Sequence, residues 1–244
     1  MPTEWIEALR KAPRAPSAPS AAARTQPAPP RRQSLQWEGI SEALAAVLQS
    51  LSAKGEDIRH IAFTPGGGWL VLYGDQFQAF ETPSTFLSAL SSASQGARVN
   101  SAAFSANGWL FLMGKGGYRT EGTSKEFMEA LVLASTADET LSSAALTHEG
   151  ELFLRGTNGW WQRGVPEGLV DTLKRLNEEK ATVDFVSMRS DRVWVMVHGG
   201  GRRWVYGSGV PPTLLEAMQR ASERGSSITA IALAPAGGWV LIVK

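Results

Sequence analysis

The side chains best suited to chemistry in this chain are three histidines, His60, His148 and His198, which lie far apart in the sequence. A metal site needs ligands that converge within about 2 Å of one ion, and these three stand at dissimilar positions of an internal repeat. The chain has no cysteine, which excludes thiolate catalysis, disulfides and cysteine-based metal sites. No P-loop, nucleophile-elbow or His-Glu-x-x-His pattern occurs. We therefore expect no enzymatic activity, no metal and no cofactor.

Aromatic and arginine side chains form a more suggestive set. They lie close together in two segments of the chain that are otherwise polar. The candidates for partner binding are Trp160, Trp161, Arg163, Arg202, Arg203 and Trp204. Aromatic residues interleaved with arginine stack sugars, stack bases or anchor a protein partner. The alternative is that these aromatic residues pack an outer strand against a helix.

A second candidate set stands where a buried strand ends. Tyr73, Met113, Arg155 and His198 occupy the same position in successive repeats, and each is a different residue type. We expect them to face one common rim or channel, and we count Tyr73, Arg155 and His198 as candidate partner contacts. A ring made for repeated identical ligands would keep this position alike, so the divergence favours one asymmetric partner.

A unit of about 42 residues repeats along the chain and must position these side chains. Each unit begins with a short apolar strand and continues through a Gly-rich turn into a second strand that is almost wholly apolar. A more polar third strand and an amphipathic helix follow. The first strands are Ile58–Phe63, Val99–Phe104, Leu141–Leu146, Val183–Met188 and Ile228–Leu233.

Four units are continuous, and a fifth is split between the two ends of the sequence. Leu35–Gly55 supplies its third strand and helix, and Ile228–Lys244 supplies its first two strands. One three-stranded sheet with one helix cannot bury its own apolar face, whereas repeats of this length stack into propellers and related rings. We predict an α+β repeat ring, a five-fold β-propeller-like fold of strand-strand-strand-helix units. Pairing of the N- and C-terminal half-units closes this ring.

Tryptophan opens the second strand in most units. Trp69, Trp109, Trp194 and Trp239 hold this position, which predicts that they pack as wedges between neighbouring units. Glu151 replaces tryptophan in the remaining unit, and we expect the ring to differ locally there.

The N-terminal residues 1–34 differ in composition from residues 35–244. They hold seven of the 13 prolines, none of the 25 glycines, and a net charge of +4, which leaves −3 for the rest of a chain of formal charge +1. Such a segment is predicted to be a disordered basic arm. Residues 3–11 within it form a short amphipathic segment with Trp5 on its apolar side, either a docking peptide or a frayed terminus.

The stretch Phe63-Thr-Pro-Gly-Gly-Gly-Trp-Leu-Val-Leu-Tyr-Gly-Asp-Gln-Phe77 resembles the repeat of tachylectin-type five-bladed β-propeller lectins. The resemblance implies a five-unit propeller with a shared closing unit over Leu35–Lys244. In those lectins a polar, Trp-containing segment after the third strand helps to hold an N-acetylated sugar. Amphipathic helices take that place here, so no sugar-binding residue is carried over.

The unit order is also similar to that of five-fold α/β propellers of the pentein type. The amidine-modifying members of that class need a Cys nucleophile, which this chain lacks. Its non-catalytic members bind the large ribosomal subunit.

The expected function is a non-enzymatic binding or scaffold module. We expect a monomeric ring that recognises a protein partner through one rim, with the arm as a second contact, and the alternative is a carbohydrate-binding lectin. Nucleic acid is not expected to bind the ring at a charge of −3. No apolar run has the length of a signal peptide or membrane span, so a cytoplasmic location is the default expectation.

Overall fold

The computed structural model describes residues 33–156, 159–189 and 192–244, in which three strands separate each helix from the next. The strands are β1 (Ser34–Glu38), β2 (Ile58–Phe63), β3 (Trp69–Tyr73), β4 (Gln76–Phe80), β5 (Val99–Phe104), β6 (Trp109–Met113), β7 (Gly117–Glu121), β8 (Leu141–Leu146), β9 (Glu151–Arg155), β10 (Gly159–Arg163), β11 (Val183–Met188), β12 (Trp194–His198), β13 (Arg203–Tyr206), β14 (Ile228–Leu233) and β15 (Trp239–Val243). The helices are α1 (Glu42–Ala53), α2 (Ser84–Ala93), α3 (Lys125–Thr136), α4 (Glu167–Glu178) and α5 (Pro212–Glu223).

The strands form five three-stranded antiparallel sheets within the described ranges. In each sheet the second strand of the unit lies in the middle, which is why it is apolar on both faces. Four sheets use consecutive strands, and the fifth has the order β1-β15-β14. In this fifth sheet Ser34 lies opposite Val243 and Glu38 lies opposite Trp239. The two terminal half-units therefore pair as the phase of the repeat predicts.

The first strands of the units contact one another in cyclic order. Strand β2 contacts β5, β5 contacts β8, β8 contacts β11, β11 contacts β14, and β14 contacts β2. Each sheet remains an open three-stranded sheet. Five sheets and five helices in repeated units, among the residues described, are compatible with the predicted propeller-like repeat architecture.

The hydrophobic core is divided into clusters that lie between neighbouring units. One cluster, for example, joins Leu70 of β3, Phe86 of α2, and Trp109 and Phe111 of β6. All four tryptophans that open a middle strand are buried. The prediction that they pack between units is confirmed, and each helix fills the space between two sheets.

Candidate functional site

A cavity of about 190 Å³, here called the axial cavity, is lined by residues of all five first strands. Each first strand is the edge strand of its sheet. Alternate N–H and C=O groups of an edge strand point away from the sheet and need other partners. The wall of the axial cavity therefore carries backbone polar groups as well as side chains.

Side chains from one first strand satisfy some of these groups on the next. His60 Nε2 lies 2.8 Å from the carbonyl oxygen and 3.1 Å from the amide nitrogen of Ala102. Ser143 holds the same strand position two units on, and its Oγ accepts a hydrogen bond from the Val186 amide at 3.4 Å. These contacts link neighbouring units across the cavity wall.

His60 is neutral near pH 7 in this environment. Burial of the ring among the first strands lowers its pKa from the ordinary value of 6.5, and the nearby Arg59 charge acts in the same direction. The hydrogen bond to the Ala102 carbonyl opposes this shift and is the weaker influence. A neutral ring can donate to Ala102 or accept from it, so its observed role is structural.

Every first strand contains a bulge at its second residue, and all five bulged residues are polar and line the axial cavity. The bulged residues are Arg59, Asn100, Ser142, Asp184 and Thr229. Four of them bond nearby backbone. Arg59 Nη1 donates to Val99 O at 2.8 Å, and Asn100 Nδ2 donates to Gly114 O at 2.6 Å. Asp184 Oδ2 accepts from Gly201 N–H at 2.8 Å, and Thr229 Oγ1 donates to Ile242 O at 3.3 Å. Most polar side chains at this end of the first strands therefore already hydrogen-bond to the backbone of the protein. The sequence signal, a polar second residue in all five first strands, was overlooked.

An apolar pocket of about 180 Å³, here called the turn-side pocket, lies at the opposite ends of the first strands. The last residue of every first strand is large and apolar and lines it: Phe63, Phe104, Leu146, Met188 and Leu233. Pro65 and Pro235 from the Gly-rich turns complete the wall, and His148 and Arg189 lie on one side. A concave apolar pocket with a few polar groups on one side suits an apolar side chain of a ligand or partner.

The aromatic candidates of the third strands are held against the core. Trp160, Trp161 and Trp204 are half-buried, and each packs on a cluster between two units. The Trp161 ring stacks on Phe153 with a centroid distance of 6.2 Å and meets the edge of Phe127 at 5.2 Å. The packing alternative accounts for these contacts without a partner.

The arginine candidates divide into paired and exposed residues. Arg163 Nη1 lies 2.7 Å from Glu126 Oε2, and Arg155 Nη1 lies 3.1 Å from Glu139 Oε2. Arg202 and Arg203 are exposed at the start of β13. The structure does not bring these four side chains together at one site.

The candidates at the ends of the middle strands lie one strand outside the axial cavity. Tyr73 and His198 are buried, and Arg155 is half-exposed. Burial, reinforced by the Arg203 charge, lowers the pKa of His198. The residues that line the axial cavity come from the first strands instead, so the expected common channel does not contain these side chains. The remaining candidate, Trp5, lies outside the described residues.

Glu151 replaces the usual tryptophan and makes a related contact. Its carboxylate accepts hydrogen bonds from the Ser124 amide, at 2.7 Å, and from the Ser124 hydroxyl at the start of α3. In another unit Trp109 Nε1 donates to Thr85 Oγ1 at 3.2 Å near the start of α2. Both residues tie a middle strand to the N-terminal turn of the preceding helix. The local difference expected at this unit is therefore a change in the hydrogen bond between strand and helix. Glu151 accepts this bond, whereas Trp109 donates it.

Within the described ranges, no group of three His, Asp or Glu residues is placed to hold a metal ion. No described helix combines the length and the apolar character needed to cross a membrane. Comparison of the sequence with protein-family models and with curated proteins finds no match. The likeness to tachylectin-type and pentein-type propellers therefore rests on the repeat architecture alone.

Proposed function

We propose that residues 35–244 form a closed five-unit, propeller-like ring that acts as a non-enzymatic binding module for a protein partner. The partner docks on the rim that surrounds the turn-side pocket. The N-terminal arm, with Trp5 near its end, provides a second contact to the same partner. The ring supplies a rigid frame for this rim, because neighbouring units share their hydrophobic core.

One observation carries this proposal: five large apolar residues converge at the turn-side end of the axial cavity. Phe63 and Met188 are half-exposed there, while the other three are buried. A pocket of about 180 Å³ has room for one anchoring side chain. Such anchors in desolvated pockets supply most of the affinity of many protein interfaces.

The surrounding turns make this rim asymmetric, which suits a single partner. Units one, two and five contribute Pro65, Ala106 and Pro235, whereas units three and four contribute His148 and Arg189. A partner with one apolar anchoring side chain fits this mostly apolar wall.

The test is quantitative affinity capture with matched variants of the full chain. Ala106→Arg places a long charged side chain at the mouth of the turn-side pocket, and Ala236→Arg places the same side chain on an exposed turn residue that does not line it. We expect the wild type and Ala236→Arg to capture the same partner protein. Ala106→Arg should no longer capture it. Equal capture by all three proteins would overturn the proposed rim.

A glycan array on the same three proteins separates the lectin alternative. The lectin hypothesis predicts a glycan signal, and the protein-binding hypothesis predicts none. A chain that starts at Gln33 tests the arm, since it should bind the captured partner more weakly than the full chain if Trp5 is a second anchor.

A further inference from the structure

A pocket of about 310 Å³, here called the Arg59 pocket, lies between units one and two. Arg59 of β2 and Arg98, which directly precedes β5, bring two guanidinium groups to it. Apolar residues of three elements form another part of its wall: Leu72 of β3, Phe77 of β4 and Leu90 of α2. A pocket that combines two guanidinium groups with an apolar wall suits a ligand that has a negative charge and an apolar part.

The repeat provides an internal control for the size of this pocket. The equivalent pocket between units three and four has a volume of only about 10 Å³. Trp160 stands there at the position of Phe77, and Asn177 stands at the position of Ser94. Both residues of the Arg59 pocket are smaller than their counterparts. The repeat can therefore be packed without this space, and the pocket is a feature of one unit boundary.

The two arginines also distinguish this boundary from the others. The residues that take the place of Arg59 in the other first strands are Asn100, Ser142, Asp184 and Thr229. The residues that precede the other first strands, at the position of Arg98, are Asp57, Thr140, Thr182 and Ser227. The four other boundaries form without a pair of guanidinium groups, so the fold of the unit does not require this pair.

Most N–H groups of Arg59 have no acceptor in the part of the chain that the structure describes. Its Nη1 donates to Val99 O at 2.8 Å, and its Nε is buried without a hydrogen-bond partner among these residues. A guanidinium group has five N–H donors, and a buried donor without an acceptor is unfavourable. The Arg59 side chain is therefore held beside the pocket with hydrogen-bonding capacity to spare.

The charged residues that line the Arg59 pocket leave an excess of one positive charge. Arg98 Nε lies 3.6 Å from Asp75 Oδ1, but the Asp75 side chain is 88% exposed, so water weakens this ion pair. Burial lowers the pKa of Arg59, and the Arg98 charge acts in the same direction. The carboxylates of Asp75 and Asp57 oppose this shift, although Asp57 also pairs with Lys244 at 2.6 Å. Two guanidinium groups and one carboxylate line the pocket, so one further carboxylate balances its charge.

We propose that the Arg59 pocket binds a small organic carboxylate that has an apolar body. The carboxylate accepts hydrogen bonds from the guanidinium groups of Arg59 and Arg98, and the apolar body packs against Phe77 and Leu90. A water molecule occupies about 30 Å³ in the liquid, so the pocket has room for about ten non-hydrogen atoms. A phosphate dianion fits less well, because it brings two negative charges close to Asp75 and leaves the apolar wall uncovered.

This inference does not depend on the proposed function. The Arg59 pocket and the turn-side pocket share no residue. A ligand at the unit boundary and a protein partner at the turn-side rim are therefore tested by separate variants, and either can fail without the other.

NMR titration of the ¹⁵N-labelled full chain with phenylacetate is the first test. We expect saturable shifts, largest at the amides of Arg98 and Val99. Phe77→Trp combined with Ser94→Asn reproduces the residues of the smaller pocket and keeps both arginines. This variant should melt like the wild type, because the same pair is tolerated between units three and four, and it should bind phenylacetate at least tenfold more weakly.

Charge variants then test the two guanidinium groups. Arg98→Gln and Arg59→Ser, which places the residue of Ser142 at this position, should each raise the dissociation constant about tenfold or more. The matched control is Arg224→Gln, since Arg224 is exposed and does not line the pocket. It should bind phenylacetate like the wild type. Arg98 is also exposed, so its variant tests the charge even if Arg59→Ser impairs folding.

The class of ligand is tested with further compounds. Hexanoate should bind with an affinity similar to that of phenylacetate, whereas phenylacetamide, which has the same shape without the charge, and inorganic phosphate should bind at least tenfold more weakly. A glycyl-glycyl-phenylalanine tripeptide presents the same group as a chain end. Tighter binding of the tripeptide assigns the pocket to a peptide carboxyl terminus, and tighter binding of phenylacetate assigns it to a free acid.

The absence of saturable binding for both phenylacetate and hexanoate would overturn the proposal, as would wild-type affinity in the Phe77→Trp, Ser94→Asn variant. Phenylacetamide or phosphate binding as tightly as phenylacetate would overturn the assigned class of ligand.

Discussion

Replacing Trp109 by alanine should be among the most damaging single changes in this protein. Its side chain is buried, 6% exposed, between two units. The ring stacks on Phe111 at 5.8 Å and meets the edge of Phe86 at 5.4 Å, and its Nε1 donates to Thr85 Oγ1. Truncating a buried large aromatic residue costs about 3–5 kcal/mol. Because Trp109→Ala also removes two aromatic contacts and a hydrogen bond, we expect a loss near the upper end of this range, about 4–5 kcal/mol.

Trp161→Ala is the matched comparison. Trp161 is half-buried, so less apolar surface is lost, but its contacts with Phe153 and Phe127 are lost as well. We expect a loss of about 2–3 kcal/mol, which is more than an exposed tryptophan would cost.

The assay is urea unfolding followed by circular dichroism, with thermal melting as a second measurement. For a domain of this size 1 kcal/mol corresponds to about 2–4 °C, so Trp109→Ala should lower the melting temperature by about 10–15 °C. Trp109→Phe keeps most of the ring contacts and serves as a milder variant. If Trp161→Ala proves more damaging than Trp109→Ala, the placement of the third strand is wrong.

Further predictions concern the cavity wall, the α3 junction and the terminal strands. In the folded protein the His60 imidazole stays neutral, whereas in the unfolded chain it binds a proton below about pH 6.5, so the free energy of unfolding should fall as the pH drops below that value. His60→Gln should therefore make the melting temperature less sensitive to pH between 7.5 and 5. Glu151→Ala removes the acceptor for Ser124 and should cost about 1–3 kcal/mol in urea unfolding. Gln33→Ala should also lower stability, because its side-chain amide bonds both backbone groups of Ile58, whereas a chain starting at Gln33 should melt like the full chain. Deleting 228–244 should unfold the whole domain by circular dichroism, and a monomeric product with unchanged melting would contradict this.

The repeat made the units and the tryptophan wedges predictable from sequence. A fixed period aligns equivalent residues, so one register position such as that of Trp69 and Trp239 can be compared across units. The split fifth unit followed from the same phase, and the pairing of β1 with β15 agrees with it.

The surfaces were harder to predict because exposure depends on neighbouring units. Trp160 and Trp161 stand among polar residues in the sequence, yet the adjacent sheet and helix cover one face of each ring. The exposure of Val132 and Leu133 on α3, 47% and 69%, was overlooked for the opposite reason: in the sequence they look like ordinary apolar residues of an amphipathic helix. Aligning the helices on their buried residues would have exposed the contrast with Lys174 and Arg175 at the same positions of α4.

The proposed closed ring requires the two ends of residues 33–244 to meet in one sheet. Ser34 and Val243 lie directly opposite each other in this sheet, at a spacing that suits a disulfide. Because the chain has no cysteine of its own, Ser34→Cys with Val243→Cys introduces a single possible bond. The matched control is Ser34→Cys with Ser105→Cys, since Ser105 follows β5 at the turn-side end.

The measurement is disulfide formation in the folded, full-length protein, read by non-reducing electrophoresis and mass spectrometry. We predict that the 34–243 variant oxidises completely within one molecule and melts at a higher temperature than its reduced form, while the 34–105 control stays reduced. A 34–243 variant that remains reduced, or that links only between molecules, would contradict closure of the ring.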